Sequence, residues 1–301
     1  MLNKSGLRRR ATLIQAIRNF FVNREYIEVD TPVRLPEVIP EAHNPVLESG
    51  DHMLQTSPEI CMKRLLAETG CGKIFQICHC FRKNERGDRH LPEFAMLEWY
   101  RTDCDYLSLM DECEDFILAV AAECGLKHHL SYQGKNISLE KPWNRLTVSE
   151  AFARYGPVSM DRALREDTFD EILCTHIEPQ LGVNKPLFLF DYPVELGALA
   201  RKKKDDPSIA ERFEIYMAGV ELANGFSELT DAEEQRQRFE QEQKSIAAQG
   251  RKNRRLPEKF LQALAAMPEA AGIALGVDRL AMVLFDAGKI DQVVPFAPED
   301  L

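Results

Sequence analysis

No stretch of this 301-residue chain approaches the roughly 18 consecutive apolar residues of a membrane-spanning helix. Nor does the start, MLNKSGLRRR, lead into a signal-peptide core; an amphipathic pattern follows it. Without an export signal, the eight cysteines read as thiols in a reducing cytosol. Positive charge is not in surplus either: a net charge of −10 argues against a generally basic nucleic-acid surface. No internal repeat is present, and no usual zinc spacing. Cys71, Cys78, His79 and Cys80 come nearest, but neighbours such as Cys78 and His79 point to opposite faces of a strand. A hydrophobic content of 45% leaves ample core for one large domain or two ordinary ones. Basic clusters at 8–10, 201–204 and 251–255 are, by themselves, solvated faces.

Leu13, Ile14, Ile17, Phe20 and Phe21 fall at helical spacing, which predicts a helix over about 9–24 running into the β-rich YIEVDTP. IFQICHCFR (74–82) and 93–100 read as two strands of a long antiparallel hairpin, joined by a polar loop. Helices are expected at 106–124, 147–155 and 169–176, and strands at 188–192, 213–217 and 220–226. Thr230 followed by Glu233 has the form of a capping box opening a polar helix over 231–248. GIALGV then turns from strand into the helix DRLAMVLF. Stretches 125–145 and 199–209 read as excursions rather than domain breaks. Antiparallel strands flanked by helices give an α+β domain.

Two strands carry acids where apolar residues are the rule. Alternation puts Phe94, Met96, Glu98 and Tyr100 on one face, and Asn224, Phe226 and Glu228 share a parity. Carboxylates with aromatic companions suit a hydrogen-bonded ligand cation cradled by rings; either strand alone could equally have its acids on a solvent side. Arg82 ends a hairpin strand beside the loop KNERGDRH, with Lys83, Arg86, Arg89 and His90. A guanidinium on a rigid strand near mobile basic groups suits a polyphosphate. Arg279 opens the last helix, whose N-terminus adds partial positive charge, although Arg279 could instead pair with an acid such as Asp278.

These residues resemble the catalytic domain of class II aminoacyl-tRNA synthetases, the lysyl type in particular. FFVNREYIEVDTP resembles the first class motif, CFRKNERGDRHLPEFAMLEWY the second and GIALGVDRLAM the third; TSPEICMKRLL, FDYPVELGALAR and RFEIYMAGVELANGFSELTDAEEQRQRF resemble lysyl-type segments. The resemblance runs from about Leu7 to the end. It implies an antiparallel sheet flanked by helices, a homodimer built on the first motif, and amino acid activation by ATP. Arg82 would bind the α-phosphate and the amino acid carboxylate, Phe94 and Arg279 would sandwich the adenine, and His90 would contact the tail of the bent ATP. Glu214 and Glu221 match acids that hold Mg2+. Glu59 matches the residue that receives the α-amino group, Asn224 one on the carboxylate side, and Glu98, Tyr100, Phe226 and Glu228 the pocket for the lysine ammonium.

The chain departs from the lysyl pattern in three places. Asn84 stands where a Glu is usual, with Glu85 one residue later, so either is a candidate for the adenine amino group. Leu91 replaces an Asn. Ala274 replaces a Gly at the pocket wall and changes its shape around the α-carbon. No room is left before the first helix for the OB-fold that reads an anticodon, so a single catalytic domain over 1–301 is expected. A short lysyl-like chain with Ala274 resembles the elongation factor P–lysine ligases. That resemblance implies activation of (R)-β-lysine, and of lysine more weakly, with transfer to a lysine of elongation factor P, whose shape is tRNA-like. Stretches 201–204 and 251–255 are the candidates for docking the acceptor. The alternatives are a truncated synthetase charging a tRNA or another RNA, a non-catalytic paralogue that binds lysine or nucleotide, and an asparagine-forming ligase. The non-catalytic paralogue is disfavoured by the presence of Arg82, Glu214, Glu221 and Arg279, and the asparagine-forming ligase by Glu98 and Glu228, which suit a cationic side chain.

Overall fold

Helix α1 (Lys4–Val22) starts several residues before its apolar stripe, because the Asn3 side chain accepts the Gly6 N–H and caps it. Its buried face, with Leu13, Ile17, Phe20 and Phe21, packs on α3 (Tyr106–Glu123). Phe20 meets Phe116 edge-on at 5.2 Å and Phe21 stacks on Phe75 at 4.8 Å. Between them in sequence comes α2 (Glu59–Thr69). The computed structural model describes residues 1–42 and 44–301.

The frame is an eight-stranded sheet of β1 (Ile27–Glu28), β2 (Lys73–Phe81), β3 (Glu93–Thr102), β4 (Asn144–Thr147), β5 (Leu187–Pro193), β6 (Ile209–Met217), β7 (Val220–Ser227) and β8 (Ala270–Gly276). Their spatial order is β1-β2-β3-β8-β7-β6-β5-β4. The inner pairs are antiparallel; only the edge strands β1 and β4 run parallel to their neighbours. The expected α+β architecture, a largely antiparallel sheet flanked by helices, is what is found.

The two faces differ in chemistry because side chains alternate. Ala95, Leu97, Trp99, Phe213, Ile215, Ile273 and Leu275 belong to the main core with α1, α3 and α6 (Val277–Leu284). The other face carries the polar residues. In register across it lie Gln76, Glu98, Ala274, Asn224 and Glu214. The next row is Ile74, Tyr100, Gly272, Phe226 and Arg212. Gly272 is required there: a Cβ would run into the Tyr100 ring and Glu228 Oε1.

Three local expectations shift. The polar helix α4 (Ala232–Ala248) is capped by Asp231, which accepts from the N–H groups of Glu233 and Glu234; Thr230 is not the cap. The helix expected over 169–176 is α-helical only at Phe169–Ile172 and continues as a π-turn at Leu173–Ile177. The excursion at 125–145 contains a small hairpin, His129–Tyr132 with Lys135–Ser138. Helix α5 (Glu258–Leu264) was without a periodic signal strong enough to place it.

Candidate active site

One cavity of about 700 Å³ opens on the polar face of the sheet. Arg82, Glu85, His90, Phe94, Glu214, Glu221, Asn224, Ala274 and Arg279, all singled out from the sequence, line it. Asn224 and Glu221 differ in parity, yet both reach it. A bulge lets Leu222 stand unpaired in β7, so Ile215 faces Ala223 while Tyr216 faces Glu221, and the bulge re-aims Glu221.

Asn84 does not reach the cavity. It is exposed, with φ of 67°, and Asn tolerates that left-handed backbone better than most residues. The turn it makes brings Glu85 to the wall, 3.6 Å from Arg82 Nη1. Of the two candidates for an adenine contact, Glu85 is therefore the one within reach. Leu91 is buried and gives the wall an apolar surface.

Arg82 lies with its guanidinium 5.2 Å from the Phe94 ring centroid. Its Nε–H is buried and has no hydrogen-bond partner among the described residues, a costly arrangement unless an anion completes it. Arg279 is turned the other way. Its Nη1 donates to the Glu221 carboxylate and carbonyl, each at 3.0 Å, and its Nη2 meets His90 Nε2 at 2.6 Å. Burial, and then the charge of Arg279, lowers the His90 pKa. The residues expected to sandwich a ring thus share the cavity, but each is engaged within the protein.

Glu214 accepts from Tyr216 OH at 2.7 Å and from Arg212 Nη2 at 2.6 Å. Burial raises its pKa; Arg212 pulls the other way and the charge of Glu221 adds to the rise. Glu178 stands by: Tyr216 OH is also 3.1 Å from its Oε1, and burial followed by Glu221 raises its pKa too. Among the described residues no three His, Cys, Asp or Glu side chains are gathered into a metal-binding group. Glu214 and Glu221 still form a carboxylate donor set with mutual repulsion, which a hard divalent cation relieves.

Glu59, Glu98, Tyr100, Phe226 and Glu228 lie together beneath the cavity floor and do not line it. Glu98 is 1% exposed and accepts from Ser57 Oγ at 2.5 Å and Tyr100 OH at 2.7 Å. Glu228, also 1% exposed, forms an ion pair with Lys63 Nζ, and Lys63 is paired with Glu59 as well. The Lys63 ammonium sits 5.0 Å from the Phe226 ring centroid. Burial, reinforced by Glu59, raises the Glu98 pKa to about 8. Burial does the same to Glu228, to about 8, although Lys63 opposes it. A buried acid cluster of this kind favours a bound cation strongly.

Sequence reasoning left Lys63 and Arg212 without roles. Lys63 lies four residues after Glu59, which is one turn along a helix face, and Arg212 shares strand parity with Glu214. Glu41 was missed too, on an irregular loop with no period; it lines the cavity, accepts from Thr56 Oγ1 at 3.3 Å, and burial raises its pKa. The basic stretch 201–204 is neutralised internally. Arg201 pairs with Glu211, Lys202 with Glu234, Lys203 with Asp191 and Lys204 with Glu269. In 251–255, Arg251 donates to the Ala42 carbonyl and Arg254 pairs with Glu48, so that stretch fastens the loop beside Glu41.

Comparison with known proteins accords with this geometry. Residues 3–300 match the family model of class II tRNA synthetases (D, K and N). The chain is 42% identical to the elongation factor P–(R)-β-lysine ligase of Pectobacterium carotovorum subsp. carotovorum, over 98% of this chain and 95% of that one. It is 40% identical to the same ligase of Pectobacterium atrosepticum and 39% to that of Hamiltonella defensa, again over 98% and 95%. The chain belongs to the class II tRNA synthetase family and, within it, to the elongation factor P–(R)-β-lysine ligases.

Proposed function

We propose that this protein uses ATP to activate (R)-β-lysine as an aminoacyl-adenylate and transfers it to a lysine side chain of elongation factor P. One observation carries the reading: a cavity rimmed by Arg82 and Arg279 ends, at Ala274 and Asn224, against a pocket of three carboxylates, of which Glu98 and Glu228 are buried. A polyphosphate end, with Glu214, and an ammonium end, with Glu98, thus lie along one row of the sheet with Asn224 and Ala274 between them. The amino acid carboxylate attacks the α-phosphorus in line, the bond to pyrophosphate breaks, and the adenylate forms. Arg82 would meet the charge that builds on the α-phosphate. Glu214 and Glu221 would hold Mg2+, which when bound supplies charge neutralisation to the departing pyrophosphate. In the second step the acceptor's ε-amine attacks the adenylate carbonyl, an amide forms, AMP leaves, and the nitrogen loses a proton.

Pyrophosphate exchange with (R)-β-lysine, (S)-β-lysine and α-lysine tests the first step. Labelling of elongation factor P against tRNA tests the second; label on tRNA alone overturns the reading. Ala274 faces the cavity from between Glu98 and Asn224, where a methyl bears on the atoms around the α-carbon. Ala274→Gly is therefore expected to shift kcat/KM towards α-lysine by about 10-fold, the scale of one methyl in a pocket. An unchanged ratio removes Ala274 from the specificity argument.

Among the described residues no helix is long and apolar enough to cross a membrane, and we place the protein in the cytoplasm with the translation factor it would modify. We also propose a homodimer. The edge strand β1 exposes Ile27 (52%) beside Val22 (58%) at the end of α1, and a bare apolar sheet edge calls for a partner. Ile27→Glu is expected to convert a dimer to a monomer in light scattering; a wild-type monomer at micromolar concentration refutes this assembly.

A further inference from the structure

The buried Lys63 ammonium stands where the acids expected to take the substrate's ammonium already meet. Lys63 is 1% exposed. It projects from α2 between Glu59 on its own helix and Glu228 beyond β7, over the Phe226 ring. From β3, Glu98 and Tyr100 face the same pocket. No other cation contacts these acids among the described residues. Apart from Lys63, the Glu228 carboxylate has no hydrogen-bond donor among the described residues, and its oxygens are fully shielded.

Resting on the reading above, we propose that Lys63 is the charge-setting and positioning residue of the amino acid pocket. Its ammonium aims Glu59 and Glu228 and offsets one of the three carboxylates, so that when a bound cation draws all three into their ionised forms two charges remain, the number of ammonium groups on a diamino acid. A lysine-like dication completes the neutralisation. A monoamine of the same length leaves one buried acid unpaired, and that acid must stay protonated. Lys63 thereby contributes to the choice of a diamino acid without touching the reacting atoms. Burial acts to lower the Lys63 pKa, but Glu228 and Glu59 outweigh it and the net shift is upward, so the lysine remains charged throughout the working range.

The test is Lys63→Met, close in length and without charge, compared with Glu228→Gln and the double variant. Lys63→Met is expected to raise KM for the diamino acid about 30-fold or more, the scale of removing one partner of a buried charge pair. KM for ATP should stay within about 2-fold, because Lys63 does not line the nucleotide cavity. With its counter-cation gone, Glu228 should ionise at higher pH, moving the rise of kcat/KM for the amino acid alkaline by about one unit or more. The double variant should fall within about 3-fold of the worse single one, since both changes cut the same contact. Lys63→Arg, which keeps the charge, should retain the wild-type pH profile and serves if the Met variant does not fold. Unchanged amino acid KM and pH profile in a folded Lys63→Met, multiplying effects in the double variant, or an Arg variant with the shifted profile would overturn the proposal. Absence of pyrophosphate exchange with any lysine in the wild type would instead refute the underlying function.

Discussion

Arg82→Ala is expected to abolish adenylate formation, lowering pyrophosphate exchange by about 10³-fold or more, the scale of an arginine that meets transition-state charge on a phosphoryl group. Arg82 is fixed at the end of β2, its N–H donating to the Pro92 carbonyl, and its guanidinium is held against the Phe94 ring. Among the described residues its buried Nε–H finds no internal acceptor. Arg82→Lys keeps a charge but loses the planar fork and the ring contact, so it should recover little, remaining about 10²-fold below wild type. Amino acid binding without ATP should change far less than the exchange rate, because Arg82 would meet only the substrate's carboxylate and the acid pocket for its ammonium lies on the far side of Ala274. Exchange within a few fold of wild type in either variant would show that Arg82 does not meet the reacting phosphate.

Much of this site was legible because a strand's period is fixed. Phe94, Glu98 and Tyr100, and Asn224, Phe226 and Glu228, are separated into faces by parity alone, and the structure keeps both sets together. Parity says nothing about register between strands. That Ala274 lies between Glu98 and Asn224 is set by the pairing of β3, β8 and β7, with Gly272 admitting the Tyr100 ring. Glu221 breaks the parity rule through a bulge, which leaves no mark in a single sequence. Asn84 and Glu85 were both candidates by position; the left-handed backbone of Asn84, which a single sequence does not reveal, turns Glu85 to the cavity wall. Lys63 was passed over because a lysine on a helix is ordinarily solvated, and only the tertiary packing of α2 under the sheet reveals three acids around it. The pairing of the charge clusters was hidden for the related reason that partners distant in sequence, Asp191, Glu211 and Glu269, meet 201–204.

Amino acid use is expected to be steeply pH-dependent, and Glu228→Gln to remove much of that dependence. Glu98 and Glu228 are both pushed up to about 8 in the ligand-free protein, so near neutrality each largely holds a proton. A cationic substrate favours the ionised forms, and binding must expel those protons. KM for the amino acid should therefore fall as pH rises from about 6.5 towards 8, by roughly tenfold per unit for each proton released. KM for ATP should stay nearly level. Calorimetry at pH 7 in buffers of different ionisation enthalpy should register release of between one and two protons per amino acid bound. Glu228→Gln should raise amino acid KM by about 100-fold at pH 8, the scale of losing a buried charge partner, and reduce the proton count by about one. The folded-state pKa values lie above the usual carboxylate value, so the same groups stabilise the ligand-free protein at low pH. That contribution is lost as pH rises through about 8, making the melting temperature of Glu228→Gln less sensitive to pH than wild type over this range. A flat amino acid KM between pH 6.5 and 8, with no buffer dependence of the binding heat, would mean that these carboxylates do not receive the substrate's ammonium.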